Sequence, residues 1–221
     1  MDIGASAAVI SAGFKDKSTL NVYPQFGLGE NLSAMLHYTT LEDILRWSPL
    51  DIPTSVLRDY LYQKSLYPSS IAATKEDLAM SQAVARQALY LAMQSARRDF
   101  PRGIASIKPT LTPMFEPILA GGSTLSSASH PGQGLLLLLD SLQPVGVTTV
   151  ILDQNNLLPL LGAAASQNNL LPVQVIESGA FLSVGTVVSP VVSAAYGTPI
   201  LNAKLTYESG VEARVELKYG S

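Results

Sequence analysis

A long helix with a stripe of small side chains constrains what can lie beside it. Thr74-Lys75-Glu76-Asp77 has the form of a capping box, with Asp where Glu or Gln is usual, and helical spacing then runs to Phe100. Val84, Ala88, Leu91, Ala92, Ser95 and Ala96 fall on one narrow face, which lets the helix approach a sheet closely. Arg97 and Arg98 suit the negative end of its dipole. A chain with such a helix needs strands to cover.

Strands are readable on both sides of it. Residues 1–28 read as three short strands: Ile3, then Ala8–Phe14, then Leu20–Phe26 after the polar turn Lys15-Asp16-Lys17-Ser18. Gly27-Leu28-Gly29-Glu30-Asn31 breaks that period, and a helix is expected from Asn31 to about Tyr38, with Asn31 or Glu30 near its positive end. Leu41, Ile44 and Leu45 predict a second helix from Thr40, delimited by Pro49 and Pro53; Val56, Leu57, Tyr60 and Leu61 predict a third, up to the Pro68-Ser69-Ser70 break.

After a proline-bearing connector, Pro101 to Pro117 with Pro109 and Pro113, comes a buried short strand, Ile118-Leu119-Ala120. It is followed by the turn Gly121-Gly122-Ser123-Thr124, a helix Gly134–Leu142, a β-branched strand Thr148–Leu152 and a helix Asn156–Ala165 with Pro159 in its first turn. Strand, glycine turn, helix, strand, helix is an α/β pattern. Beyond Pro172 four strands are expected: Val173–Ile176, Phe181–Val188, Ile200–Tyr207 and Val211–Tyr219. The last two pair across Glu208-Ser209-Gly210, with Leu201, Ala203 and Leu205 matching Ala213, Val215 and Leu217. The expected division is therefore residues 1–172 and a small β module, 173–221.

Composition removes several functions. The 221 residues suffice for one large domain or two small ones, and a net charge of −3 gives no clustered Lys and Arg for a nucleic-acid surface. With no cysteine, disulfides, thiolate nucleophiles and most zinc sites are out, and His37 and His130 alone cannot build a multi-histidine metal centre. The longest leucine tract, Leu135–Leu139, ends at Asp140, so no membrane helix is expected. The opening lacks the pattern of a signal peptide, and a cytoplasmic location is the expectation. Charged residues are only 14% against 47% hydrophobic, so part of the surface is expected to be covered by a partner or by further chain. Both ends read as cut, because a strand should already have begun at Met1 and the last one reaches Tyr219.

The opening "MDIGASAAVISAGF" places an acid, a glycine and small residues between two strands. It is not a Walker A sequence, since no Lys follows a glycine run, nor a dinucleotide fingerprint, which leads into a helix. A strand–loop–strand phosphate binder works differently. Backbone N–H groups in the turn point at phosphate oxygens, small side chains permit close approach, and the acid holds magnesium through water.

This opening resembles the second phosphate motif of the superfamily of actins, sugar kinases and chaperone ATPases, Asp-Ile-Gly-Gly-Gly-Thr-Thr-Asp/Glu. Gly27-Leu28-Gly29-Glu30-Asn31, the small-residue helix, and Ile118-Leu119-Ala120-Gly121-Gly122-Ser123, which resembles the adenosine motif, follow in the family's order. Asp153 to Ala165, with "LLGAAA", looks like the helix that closes that lobe. Within the superfamily, "ILAGGSTLSSASHPGQGLLLLLDSLQPVGVTTVILDQNNLLPLLGAAA" and "GTPILNAKLTY" resemble glutamate mutase L, ATPase-like proteins linked to coenzyme-B12-dependent mutases.

The resemblance implies a ribonuclease H-like lobe, the second of two, with a mixed sheet flanked by helices and a small C-terminal β module. It implies ATP and Mg as ligands: Asp2 holding the metal through water, Gly4, Ala5 and Ser6 presenting N–H groups to phosphate, and Gly29, Glu30, Gly121, Gly122 and Ser123 against the adenosine. It also implies an accessory or reactivating role toward a mutase partner, and an N-terminal lobe elsewhere. Where the motif has Thr, Thr and an acid, this chain has Ala7, Ala8 and Val9, leaving only the Ser6 hydroxyl. Each lost group is worth about 1–3 kcal/mol of binding or transition-state stabilisation, which predicts weak hydrolysis or none.

The alternative is a degenerate lobe kept as a structural or interaction module, with Asp2 a turn residue and Ser123 a helix cap. Ser129-His130 is not a nucleophile and base, because neighbours in sequence rarely reach each other and Pro131-Gly132 marks a loop. His37 reads as a cap or solvated residue, and Trp47, Tyr60, Tyr62 and Tyr67 as core or partner contact. Asp51, Asp59, Glu76 and Asp77 read as solvated, and no catalytic residue is assigned.

Overall fold

The computed structural model describes residues 1–101, 111–126, 128 and 130–220. Pro109, Ser129 and Ser221 of the readings above lie outside the described residues.

Three antiparallel strands open the chain: β1 (Asp2–Ile3), β2 (Ala8–Phe14) and β3 (Lys17–Tyr23). The third ends before Phe26, because Pro24 has no N–H for the ladder and starts a 3-10 turn, Pro24–Phe26. A second 3-10 turn, Leu32–His37, replaces the expected α-helix; Asn31 precedes it without a side-chain capping bond. Then come α1 (Leu41–Leu45), α2 (Thr54–Leu66) and α3 (Lys75–Ala96).

Both α1 and α3 start on the same device. Thr40 and Thr74 accept from the amides of Asp43 and Asp77 at 3.1 and 3.0 Å, and each aspartate accepts back from its threonine amide. Each cap stabilises its helix by about 1 kcal/mol. Helix α3 ends at Ala96, and the expected last turn is a 3-10 turn, Arg97–Asp99.

β4 (Ile118–Ala120) leads into the single turn α4 (Ser123–Ser126), α5 (Pro131–Leu142) and β5 (Gly146–Leu152), with β4 and β5 parallel. β1 lies parallel beside β4: the Met1 amino group donates to Leu119 O (2.7 Å), Gly121 N to Met1 O (2.9 Å) and Ile3 N to Gly121 O (3.1 Å). α6 (Leu157–Ala165) and α7 (Leu170–Glu177) follow, and β6 (Leu182–Ser189) pairs antiparallel with β5. Hydrogen bonding thus runs in the order β3, β2, β1, β4, β5, β6, a mixed sheet.

Val173–Ile176, expected as a strand, is helical. Its β-branched residues suggest a strand, but Asn168 Oδ1 accepts from the amides of Leu170 (3.0 Å) and Leu171 (3.3 Å), which caps α7 and leaves Pro172 harmlessly in its first turn. The boundary expected near residue 172 falls inside this helix, and β6 pairs with β5 rather than with the later strands. Those two, β7 (Pro199–Thr206) and β8 (Glu212–Lys218), form a separate ribbon in the register read from sequence, Leu201 opposite Leu217 and Ala203 opposite Val215.

Helix α3 is the centre of the core. Val84, Ala88, Ala92 and Ala96 are buried as expected, and Met80, Ala83, Leu89 and Met93 are buried as well, because strand β2, α1 and α5 cover it from several sides. Fully buried Leu57, Leu61, Leu89, Leu138 and Val150 each contribute roughly 1.5–3 kcal/mol of transfer free energy. Arg86 on α3 pairs with Asp140 on α5 at 2.7 Å. Among the described residues no helix is long and apolar enough to cross a membrane.

Candidate functional site

Three glycine-bearing turns meet at the ends of β1 and β4. The turn between β1 and β2 is closed by Gly4 N donating to Ala7 O (3.0 Å) and pinned by Leu28 N to Gly4 O (3.0 Å) and Gly29 N to Ala5 O (2.8 Å). This approach requires glycine: a Cβ on Gly27 would stand 2.6 Å from Ala5 O, and one on Gly29 2.9 Å from it. From the other side comes the turn after β4, where Gly122 has φ +113° and lies against the backbone of Ile3.

Two carboxylates flank Gly121. A Cβ there would be 3.2 Å from Asp2 Oδ1 and 3.7 Å from Asp153 Oδ2. Asp153 is buried, and its oxygens accept from the amides of Leu157 (2.9 Å) and Leu158 (2.7 Å), so it caps α6. Among the described residues none donates such a bond to Asp2. Burial raises its carboxyl above the usual range, the adjacent amino terminus opposes that, and Asp153 adds to it.

A raised carboxyl disfavours the charged native form, so stability falls as pH rises from below the unfolded value of 3.8 through the native one. Asp2→Asn removes the penalty. Its melting temperature is expected above that of the wild type at pH 7, with the gap closing in titrations toward pH 3; a variant less stable at pH 7 would contradict this origin of the shift.

The residues expected to bind phosphate and adenosine are brought together in part. Ala5 and Ser123 line one small cavity of about 60 Å³, with Leu28, Tyr60, Lys64 and Ser81 on its other walls. At the tip of the β1–β2 turn, Ala5 and Ser6 are exposed and their amides make no hydrogen bond to another described residue. Gly4 differs from expectation: its N–H is spent on Ala7 O and cannot serve a ligand. Gly29, Gly121 and Gly122 are buried and act by allowing the turns to close, while Glu30 is exposed. Ala8 and Val9 are β2 residues paired with Tyr23 and Val22.

Sequence reasoning missed Tyr60, Lys64 and Ser81. Tyr60 and Lys64 sit one turn apart on α2, a spacing that only acquires meaning once α2 is known to face Ser123. Burial pushes the Tyr60 phenol up, with a Ser81 hydrogen bond working against it, and burial lowers the Lys64 ammonium. Lys64 Nζ donates to Ser70 O.

Hard oxygen donors such as Asp2 suit magnesium held through water, and two free amides beside a lysine suit an anion. The enclosed volume is far below the roughly 300–1,000 Å³ of an organic-ligand pocket, so these residues could form only one wall of a nucleotide site. A larger cleft of about 440 Å³, lined by Ile10, Met93, Met114 and Phe115 among others, shares no residue with it. Among the described residues no group of three or more His, Cys, Asp or Glu could hold a metal.

The model of the MutL protein family matches residues 5–179, from the β1–β2 turn to the end of α7. The chain belongs to this family. It is the glutamate mutase L-like family, and the resemblance read from the sequence is correct at that level. No curated protein and no solved structure matches the chain. The matched region takes in Ala5, Ser6, Gly27, Gly29, Gly121, Gly122 and Asp153, and it leaves out β1 with Asp2, Gly4, β6 and the β7–β8 ribbon.

Proposed function

We propose that this chain supplies one wall of a magnesium-nucleotide site in an accessory protein that serves a coenzyme-B12-dependent mutase. The observation that carries the reading is the exposed tip of the β1–β2 turn. The amides of Ala5 and Ser6 there bond to no other described residue, and Ala5 itself lines the cavity that Ser123 and Lys64 share. Phosphate oxygens would accept from those amides and from Lys64, Asp2 would hold the metal's water, and the ribose side would lie toward Tyr60 and Ser123. The opposite wall would come from a second lobe. The antiparallel meander followed by a strand parallel to β1 supports an actin-like lobe. With alanine and valine in place of the motif's hydroxyls and acid, hydrolysis by this chain is expected to be negligible.

Magnesium-ATP at tenfold its dissociation constant should raise the melting temperature by roughly 3–6 °C. Asp2→Ala should abolish that shift and Lys64→Ala reduce it, with no phosphate released above background. An unchanged melting temperature with every magnesium nucleotide tested would overturn the reading.

One observation favours the interaction module instead. α6 and α7 present Leu160, Leu170 and Val173 at 68, 66 and 50% exposure, and between Leu157 and Ile176 there is no charged residue. Such a face marks a protein contact. Mutase binding that needs the α6–α7 face and ignores magnesium-ATP and a chelator would favour it.

A further inference from the structure

The segment Gln-Asn-Asn-Leu-Leu-Pro occurs at 154–159 and again at 167–172, and the two copies start α6 and α7 on different backbones. In the second copy Asn169 is right-handed, with φ −74° and ψ −13°, and Asn168 Oδ1 accepts from the amides of Leu170 and Leu171. In the first copy the equivalent of Asn169 is Asn156, which is left-handed, with φ 52° and ψ 42°. The amides of Leu157 and Leu158 turn to Asp153 instead, and Asn155, the equivalent of Asn168, donates to Ala180 O at 3.5 Å. We propose that the start of α6 is a two-state switch: Asp153 caps the helix in this structure, and Asn155 caps it when a cation takes the Asp153 carboxylate.

Each state has a physical reason. A left-handed asparagine costs backbone energy that a right-handed one does not, and two charge-assisted bonds to a buried carboxylate outweigh that cost. The second copy lacks this rival. The residue in the place of Asp153 is Ser166, whose hydroxyl donates back to Ala163 O, and there the segment takes the relaxed backbone with its own asparagine as cap. Turning Asn156 to the conformation of Asn169 would present the amides of Leu157 and Leu158 to Asn155, which gives up only a bond of marginal length to Ala180. Asp153 would stay in place, because its N–H is bonded to Ala120 O at 2.8 Å at the end of β4. Its carboxylate would remain beside Gly121, as Asp2 does.

Burial determines the trigger. A buried carboxylate stripped of both amides is costly unless a positive charge replaces them. A magnesium ion held from Asp2 would be that charge, so the trigger rests on the nucleotide reading above, whereas the two caps do not. A ligand shifts such an equilibrium only through its different affinity for the two states, and here the difference is the freed carboxylate. Turning Asn156 changes the direction in which α6 leaves β5. The exposed Leu160 turns with it, so cation occupancy would alter the apolar face offered to a partner.

Thermal unfolding of the intact chain tests the caps with no ligand present. Asn155→Ala alone should shift the melting temperature by less than about 1 °C, since Asn155 holds little while Asp153 caps. In an Asp153→Ala background the same change should cost roughly 3–6 °C, because no cap then remains. Should Asp153→Ala not fold, Asp153→Asn is the milder background, and Asn155→Ala should still cost more there than in the wild type. Equal effects of Asn155→Ala with and without Asp153 would overturn the switch. The trigger is read from the Cα and Cβ chemical shifts of Asn156 in the unsubstituted chain. Magnesium with ATP should move them from left-handed to helical values, and Asn156→Gly, at ease in the left-handed backbone, should blunt the accompanying shifts at Leu157 and Leu158. Left-handed values under saturating magnesium-ATP would overturn the trigger. Additive caps with magnesium-ATP bound would remove the switch and leave the nucleotide reading; absent binding with non-additive caps would remove that reading and the trigger, and leave the caps.

Discussion

Gly122→Ala is expected to lower stability by about 3–5 kcal/mol, the sum of strain at a positive φ and overpacking. The backbone there has φ +113°, which a side chain rarely adopts. The added methyl would sit 2.1 Å from Ile3 O and 2.8 Å from Ile3 N, and neither atom can swing aside, because Ile3 is fully buried and its N–H is bonded to Gly121 O. Relief requires pulling β1 away from β4, which also separates the two turns at the candidate site. Gly132→Ala is the control: nothing among the described residues lies within 4 Å and the residue is in the first turn of α5, so it should be neutral or stabilising by up to about 1 kcal/mol. Thermal and urea unfolding of both variants would check the contrast. A Gly122 variant as stable as the control would mean that β1 and β4 are not held together in solution.

That juxtaposition was readable from the sequence only as an inference. Glycines at 27, 29 and 122 announce close backbone approaches, but they do not say to what; the partners are Ala5 and Ser6 in the β1–β2 turn for the first two and Ile3 for the third, the last set by the long-range pairing of β1 with β4. Local signals fared well where local chemistry decides. The threonine–aspartate box at Thr74, the helix start at Thr40, the ribbon register around Gly210 and the strand after Pro117 are as read, whereas the second box, at Thr40, went unread. They fared poorly where a polar group at a distance of two or three residues overrides propensity. Val173, Val175 and Ile176 favour a strand, and Asn168 makes them a helix. A repeat also went unread: Gln154-Asn155-Asn156-Leu157-Leu158-Pro159 recurs as Gln167-Asn168-Asn169-Leu170-Leu171-Pro172, and each copy starts a helix. The Tyr60, Lys64 and Ser81 walls were invisible for a simpler reason. They come from α2 and α3, whose placement across the cavity depends on contacts that no spacing encodes.

Gln87 makes one of those contacts, and Gln87→Ala is expected to cost about 2–4 kcal/mol. It is the buried polar residue in the middle of α3, 3% exposed. Its Oε1 accepts from Trp47 Nε1 at 2.7 Å and from Arg46 at 3.4 Å, and its Nε2 donates to Thr39 Oγ1 at 2.8 Å. The chain on either side of α1 is thereby tied to α3, and Arg46 is laid over the rings of Trp47 and Tyr90 at 4.6 and 5.4 Å. Alanine leaves a cavity and strands the indole N–H, whose loss of a partner in a half-buried place is the larger part of the cost. Gln87→Glu keeps the acceptor for Trp47 and Arg46 and gives up only the donation to Thr39, so it should cost about 1 kcal/mol. Because α1 leads into α2, loosening it moves the wall that carries Tyr60 and Lys64. Gln87→Ala should therefore weaken any magnesium-ATP stabilisation beyond what its own melting temperature explains, while Gln87→Glu retains it. Equal unfolding free energies for the two variants would show that the indole contact is not what anchors this segment.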